Sequence, residues 1–363
     1  MSSTKLVTAV SAIGVTSVAV VALVTAPFAH AQSAGDGESS GRNASARAQA
    51  HAPPSARATN LQPTKPQSAY LPGTKCRAFP ASNVWHADIS KLPVSGRSRA
   101  WLVNSGATGR RLHPDFGPSY GEQTVPYGIP ITVVRTKKPA AKVSFDYFDE
   151  SDHVLYPLSR STKIEGGWNA DGDRHAIVVN ATTCMLYETW DTHLTPSGWH
   201  AGSGAVWSLK SNKLRPAGWT SADAAGLPIL PGLLRFDEVK AGRVDHAIRF
   251  TVPTSQRSAL WPARHQAGST SSTAYPPMGA RFRIKKGFSI KGYSAYARTI
   301  LKAMKRTGMV VADNGSGWFF QGTQDARWPS GLIDELKTIP ASSFEAVDLR
   351  KLKVSANSAK ARR

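Results

Sequence analysis

The sequence predicts a mainly β protein, an antiparallel β-sandwich-like core with one or two C-terminal helices packed on it. Three observations point there. Short β-branched or aromatic runs recur through the middle of the chain between Gly, Pro, Lys and Asp. Two of them flank a short turn and read as a hairpin. Late in the chain the apolar spacing changes from the strand period to the helical one.

Taken in order, Pro130 to Val134 and Val143 to Phe148 are the first strand-like runs. His175 to Val179 and Met185 to Trp190 enclose Asn180 to Thr183 and make the hairpin, and His246 to Val252 is a further strand. Tyr293, Tyr296, Ala297, Ile300, Leu301 and Met304 then fall at helical spacing, with Gly308 placed to stop the helix in a left-handed conformation. Met309 to Ala312 returns to strand character. Leu332 to Lys337 is a second short helix, followed by Phe344 to Val347 as a strand. There is no internal repeat.

The first thirty-one residues carry the three parts of a secretory signal: Lys5, the apolar run Leu6 to Val24, and Ala29-His30-Ala31 as the cleavage site. Left uncut, Val7 to Phe28 is long enough to anchor in a bilayer at roughly twenty apolar residues. Gln32 to about residue 69 is Ala, Ser and Pro rich with nothing to bury, a disordered linker. Residues 70–350 are expected to form a single β-rich domain, and the basic stretch 351–363 a disordered tail. The expected protein is thus secreted, monomeric and in contact with membrane only during export.

Cys76 and Cys184 are the only cysteines, and in an oxidising compartment a lone pair is most simply a disulfide. They exclude a four-cysteine zinc site. The formal charge of +21 and a pI near 10.2 suit partners such as acidic polysaccharides, anionic wall polymers or nucleic acid. No zinc finger, helix-turn-helix or RNP-like run accompanies the charge, so a specific nucleic-acid target is not expected.

The richest chemical stretch is Asp171-Gly172-Asp173-Arg174-His175 leading into the hairpin that ends in Tyr187-Glu188-Thr189-Trp190-Asp191. A hairpin brings the His175 end of one strand beside the Glu188 to Asp191 end of the other, so carboxylates and an imidazole can share one mouth of the sheet. Two carboxyl groups with an aromatic platform are what glycoside hydrolysis uses. Asp173, His175, Glu188 and His246 are accordingly the catalytic candidates. Trp190, Trp207, Arg249, Arg264 and His265 are the substrate-binding ones, the arginines suiting a uronic-acid carboxylate in a lyase variant. Equally, Asp171 and Asp173 suit a turn and Glu188 a solvent-facing sheet position.

His175, His246 and His265 lack any metal-binding spacing, so neither a metal nor another cofactor is expected. Gly202-Ser203-Gly204 lacks the outer glycine of a serine-hydrolase elbow. Thr220-Ser221-Ala222-Asp223 reads as a helix N-cap, and Asp313-Asn314-Gly315 as a turn.

The strings His113-Pro114-Asp115-Phe116-Gly117, Gly172-Asp173-Arg174-His175, Trp219 to Pro228 and Ala312-Asp313-Asn314-Gly315 resemble a recurrent group of exported proteins of soil bacteria, over most of Phe79 to Leu349. The resemblance implies an extracellular location and one folded unit; it assigns no activity and no catalytic residue. The function expected is a secreted carbohydrate-active enzyme, hydrolase-like or lyase-like, that cleaves an extracellular polysaccharide, anionic ones included. The alternatives are a noncatalytic wall- or polysaccharide-binding protein and a hydrolase of another class.

Overall fold

The β-branched runs form strands, but the strands pair in both senses. The computed structural model describes residues 70–119 and 126–362, so the signal and linker expectations for residues 1–69 lie outside the described residues. One sheet has six strands in the order His113–Asp115, Phe319–Gln321, Ile248–Val252, Met309–Asn314, Arg281–Ile284, Phe344–Val347. Within it His113–Asp115 runs parallel to Phe319–Gln321, and Met309–Asn314 parallel to Ile248–Val252. A second sheet has four strands, Ile131–Val134, Ala176–Asn180, Met185–Trp190 and Ser203–Ser208, of which the first two are parallel. Val143–Phe145, Gly198–Ala201 and His193–Thr195 form a smaller, mixed sheet. The protein is mainly β with a few helices, and its sheets are mixed, where the sequence predicts a mainly antiparallel, sandwich-like core. Strand period alone is blind to that difference, because parallel and antiparallel partners impose the same alternation.

The hairpin forms as its sequence predicts, with Ile177 opposite Glu188 and Asn180 opposite Met185. Its strand Ala176–Asn180 is buried throughout because both faces of the four-stranded sheet are covered. Ile177, Val179, Leu186 and Trp207 join the main core with Phe250, Phe282 and Val311. On the other face Val178 and Tyr187 pack with Phe145 and Tyr156.

The predicted C-terminal helix is present as Ala295–Arg306. Ser294 caps it by accepting from the Ala297 N–H, and Ala297, Ile300, Leu301 and Met304 are buried on its inner face. Gly308, at φ 75°, ends it, and its backbone lies so close to the Phe282 carbonyl that a Cβ would sit 2.3 Å from that oxygen. The second helix, Ser330–Leu336, and the Phe344–Val347 strand also match.

The basic tail departs from expectation. Lys353–Ser355 and Ser358–Ala361 pair antiparallel, and Leu352, Ala359 and Ala361 are buried in a small cluster with Val84, Ile89 and Leu349. Two alanines alternating with Ser358 and Lys360 are too weak a pattern to outweigh the surrounding charge in a sequence reading, yet they suffice to seat a hairpin on a preformed surface. Cys76 and Cys184 are joined, with Cα atoms 5.4 Å apart across a separation of 108 residues. Among the described residues no helix is long and apolar enough to cross a membrane.

Candidate functional site

The hairpin delivers His175 and Glu188 to one face of the four-stranded sheet, with Asp173 at its mouth. His175 precedes Ile177 at strand spacing and Ile177 is the partner of Glu188, whereas Arg174, at φ 46°, breaks the extended chain between Asp173 and His175. The Asp191 N–H donates to the Asp173 carbonyl and the Thr192 N–H to that of Arg174, which extends the hairpin to the mouth of the sheet. The face meets the segment Ser221 to Leu227 and the strands Ile248–Val252 and Met309–Asn314, which bring Asp223, Arg249 and Asp313.

Each of these groups has a distinct setting. Asp223 is 0 % exposed and receives both arms of the Arg249 guanidinium, Nε at 3.1 Å and Nη2 at 2.9 Å. Burial raises the Asp223 carboxyl while Arg249 pulls it back. His175 is buried with Nδ1 2.5 Å from Glu165 Oε2 and Nε2 3.1 Å from the Ala222 carbonyl. Burial opposes its charge, but the Glu165 carboxylate prevails and the imidazole is pushed up to about 9, so both ring N–H groups donate.

Glu188 is 0 % exposed, and its two oxygens accept from the backbone N–H groups of Ile229 and Leu230, each at 2.8 Å. Burial pushes it up to about 7 against the pull of those donors. The arrangement ties the Met185–Trp190 strand to the short turn Leu230–Gly232. Glu188 therefore lies where neither solvent nor a polymer reaches it. The reading of Glu188 as a solvent-facing sheet residue fails for the same reason.

Asp313 differs. It stands at the C-terminal end of its strand, partly exposed, beyond a register shift that separates Val311 from Asp313. The hydrogen bond its carboxylate accepts comes from the N–H of Asn314 at 2.7 Å. Burial, reinforced by the negative charge of Asp223, pushes it up to about 7, with Asp173 adding in the same direction. Next to it, Asn314 donates to the Ala267 carbonyl while its own Oδ1 is buried with no partner. Asp173 is exposed and accepts from the Trp190 indole N–H at 3.2 Å. Trp190 is half-buried, with its ring over Gly202, where a Cβ would come within 2.2 Å of it.

The remaining predicted residues go elsewhere. His246 is buried, its ring nitrogens 2.8 Å from Glu238 Oε1 and from the Ala247 carbonyl. It precedes the Ile248–Val252 strand, whose Thr251 pairs with Asp313, so it lies about 16 Å away at strand rise. Arg264 donates to the carbonyls of Arg215 and Ala356 and to Asn357 Oδ1. Arg249 alone of these stays at the site, spent on Asp223. His265 has Nδ1 2.8 Å from the Ala224 carbonyl. Trp207 and Arg264 instead line a separate pocket of about 700 Å³ with Trp219, Lys213 and Arg215. Arg215, ion-paired with Asp152, lies over the Trp207 and Trp219 rings at 5.6 and 5.5 Å.

Asp223 caps no helix: the single Ser221 O–H is shared between the carbonyls of Asp223 and Leu227 and its oxygen accepts the Asp223 N–H, which leaves the carboxylate free to turn toward Arg249. Among the described residues no group of three or more His, Cys, Asp or Glu side chains is arranged to hold a metal ion. Comparison with protein-family models, curated proteins and solved structures finds no match to this chain.

Sequence reasoning missed Glu165 and Asp313. Glu165 sits in a Gly-rich loop with no signal of its own. Asp313 had one: it directly continues the apolar run Met309 to Ala312, and a carboxylate that continues a buried strand is a candidate for a raised proton affinity.

Proposed function

We propose that the protein is an exported glycoside hydrolase-like enzyme acting on a neutral polysaccharide, with Asp313 as the general acid and Asp173 as the base. The observation that carries this reading is the proton affinity of Asp313: a partly exposed carboxyl held up to about 7 by burial and by Asp223. A carboxyl group that keeps its proton near neutrality can give it to a leaving glycosidic oxygen.

Asp173 acts on Asp313 electrostatically and carries the indole of Trp190 on one oxygen. Its other oxygen takes the proton of an attacking water, while the half-buried Trp190 ring offers a face to a sugar. His175 and Arg249 do not touch substrate. They hold Glu165 and Asp223, and so set the charge beneath Asp313.

Two features favour a neutral substrate over an anionic one, and hydrolysis over a lyase reaction. Carboxylates outnumber cations around Asp313, and Arg249, the fork that would bind a uronate, is already bidentate on Asp223. Export agrees with the disulfide, which persists in oxidising compartments.

The test is release of reducing ends from a panel of neutral polysaccharides. Asp313→Asn and Asp173→Asn each abolish release, whereas Glu188→Gln lowers stability and leaves turnover of the folded fraction intact. Full activity in either aspartate variant would overturn the assignment. A second reading, noncatalytic polysaccharide binding, is favoured by the Trp207 and Trp219 pocket; it predicts retention on polysaccharide with no release by the unaltered protein.

A further inference from the structure

We infer that a second site, a basic pocket at the edge of the six-stranded sheet, binds an oxyanion of phosphate chemistry, either free phosphate or the phosphodiester of an anionic polymer. The pocket measures about 380 Å³ and is lined by Arg110, Arg111, His113, Phe319 and Lys337, with Gly109, Leu112 and Gly317 as its backbone wall. It stands apart from the reading of Asp313 and does not depend on it.

Three permanent cations face this hollow and no carboxylate lines it. Crowding like charges round one cavity costs electrostatic energy that an anion offsets when it enters. Arg111 donates to the Thr338 carbonyl, which holds its guanidinium in place and leaves its other N–H groups free among the described residues. Arg110 and Lys337 form no side-chain hydrogen bond or ion pair with any described residue. Asp115, on the same strand, does not line the hollow; it accepts from the Tyr127 hydroxyl and from Gln321 Nε2 at 3.0 Å, and its charge acts on His113 against that of Lys337.

The site is also shaped. The Arg110 side chain lies between Gly106 and Gly317, where a Cβ would come within 2.7 and 3.1 Å of its Nε. Gly106 moreover has φ 73°, a conformation that side chains other than glycine rarely adopt. His113 stacks flat on Phe319, with centroids 3.8 Å apart and planes at 11°, which fixes the imidazole at the pocket wall. Burial, with the Lys337 charge, lowers its proton affinity, so at neutral pH it is an uncharged ring able to donate one N–H. Two guanidinium groups, an ammonium and a neutral imidazole match a tetrahedral oxyanion with several acceptor oxygens better than a single planar carboxylate.

Calorimetric titration of the full chain with inorganic phosphate tests this, alongside retention on immobilised polyglycerol phosphate and on polygalacturonate. Saturable phosphate binding is expected, weakened at least about tenfold in the Arg110→Ala/Lys337→Ala variant, since a charge-assisted hydrogen bond contributes about 1.5–3 kcal/mol. Both residues are exposed, so that variant should keep its Tm. A control removing two exposed charges elsewhere, Lys302→Ala/Lys351→Ala, is expected to bind phosphate as the unaltered protein does. Retention on polyglycerol phosphate that free phosphate displaces identifies a polymer phosphodiester as the ligand; phosphate binding without such retention identifies the free anion. The inference is overturned if phosphate binding fails to saturate, if both double variants lose it equally, or if polygalacturonate is retained as strongly as the phosphate polymer and depends on the same two residues.

Discussion

Arg249→Met tests the charge arrangement beneath the candidate site. In the folded protein Arg249 and Asp223 are 3 % and 0 % exposed, and the carboxylate oxygens accept at 2.9 and 3.1 Å from the guanidinium. Removing the cation leaves a carboxylate sealed from water without its hydrogen-bonded partner, the charged His175 imidazole acting on it only through space, a change that costs about 3–5 kcal/mol. For a folded body of this size each kcal/mol shifts Tm by roughly 2 °C, so the expected fall is about 6–10 °C.

The sign with pH follows from the same geometry. Asp223 already has its proton affinity raised by burial, and losing Arg249 raises it further. A group whose folded pKa lies above its unfolded value stabilises the fold at low pH and loses that contribution as pH rises. The variant's deficit is therefore smaller at pH 5 than at pH 8. Adding Asp223→Asn should restore part of the loss, so the double variant is more stable than the sum of the single changes predicts. Differential scanning calorimetry at the two pH values measures all of this. A deficit below about 1 kcal/mol, or strict additivity, would refute the description of Asp223 and Arg249 as one buried ion pair.

Two further predictions concern stability. His175, raised from 6.5 to about 9, contributes stability that is complete below about pH 6.5 and is lost as pH rises through 9; Tm measured from pH 6 to 10 should fall across that window, and the fall should flatten in Glu165→Gln. Reducing the Cys76 to Cys184 bridge, which closes a separation of 108 residues, should lower stability by about 4–5 kcal/mol in the chain-entropy view, read as a drop in the denaturation midpoint under dithiothreitol.

What was legible in the sequence was what local pattern carries. The hairpin from His175 to Trp190 needed only two β-branched runs and a short turn, and the helix Ala295–Arg306 only its apolar spacing and Gly308. Strand partners were not legible: nothing local in Met309 to Asn314 says that it runs beside Ile248–Val252 in the same sense. The site followed that division. Asp173, His175, Glu188 and Trp190 stand out in the sequence because one hairpin supplies them all, although the fold seals Glu188 away. Asp313 and Glu165 were missed because their importance comes from distant neighbours, and Asp313 also fits a turn signature with Asn314 and Gly315. Glu188 was misjudged because its partners, the Ile229 and Leu230 N–H groups, lie 41 and 42 residues away. His246 was misjudged because a strand position does not reveal which end of the strand reaches the cleft.

On the proposed reading, the pH dependence of polysaccharide hydrolysis bears most directly on Asp313. If that carboxyl is the acid, kcat/KM on a neutral polysaccharide falls on the alkaline side with an apparent pKa near 7, and Asp313→Glu shifts the midpoint while Asp313→Asn removes the activity. An alkaline limb that stays put in Asp313→Glu, or hydrolysis that survives in Asp313→Asn, would contradict the account.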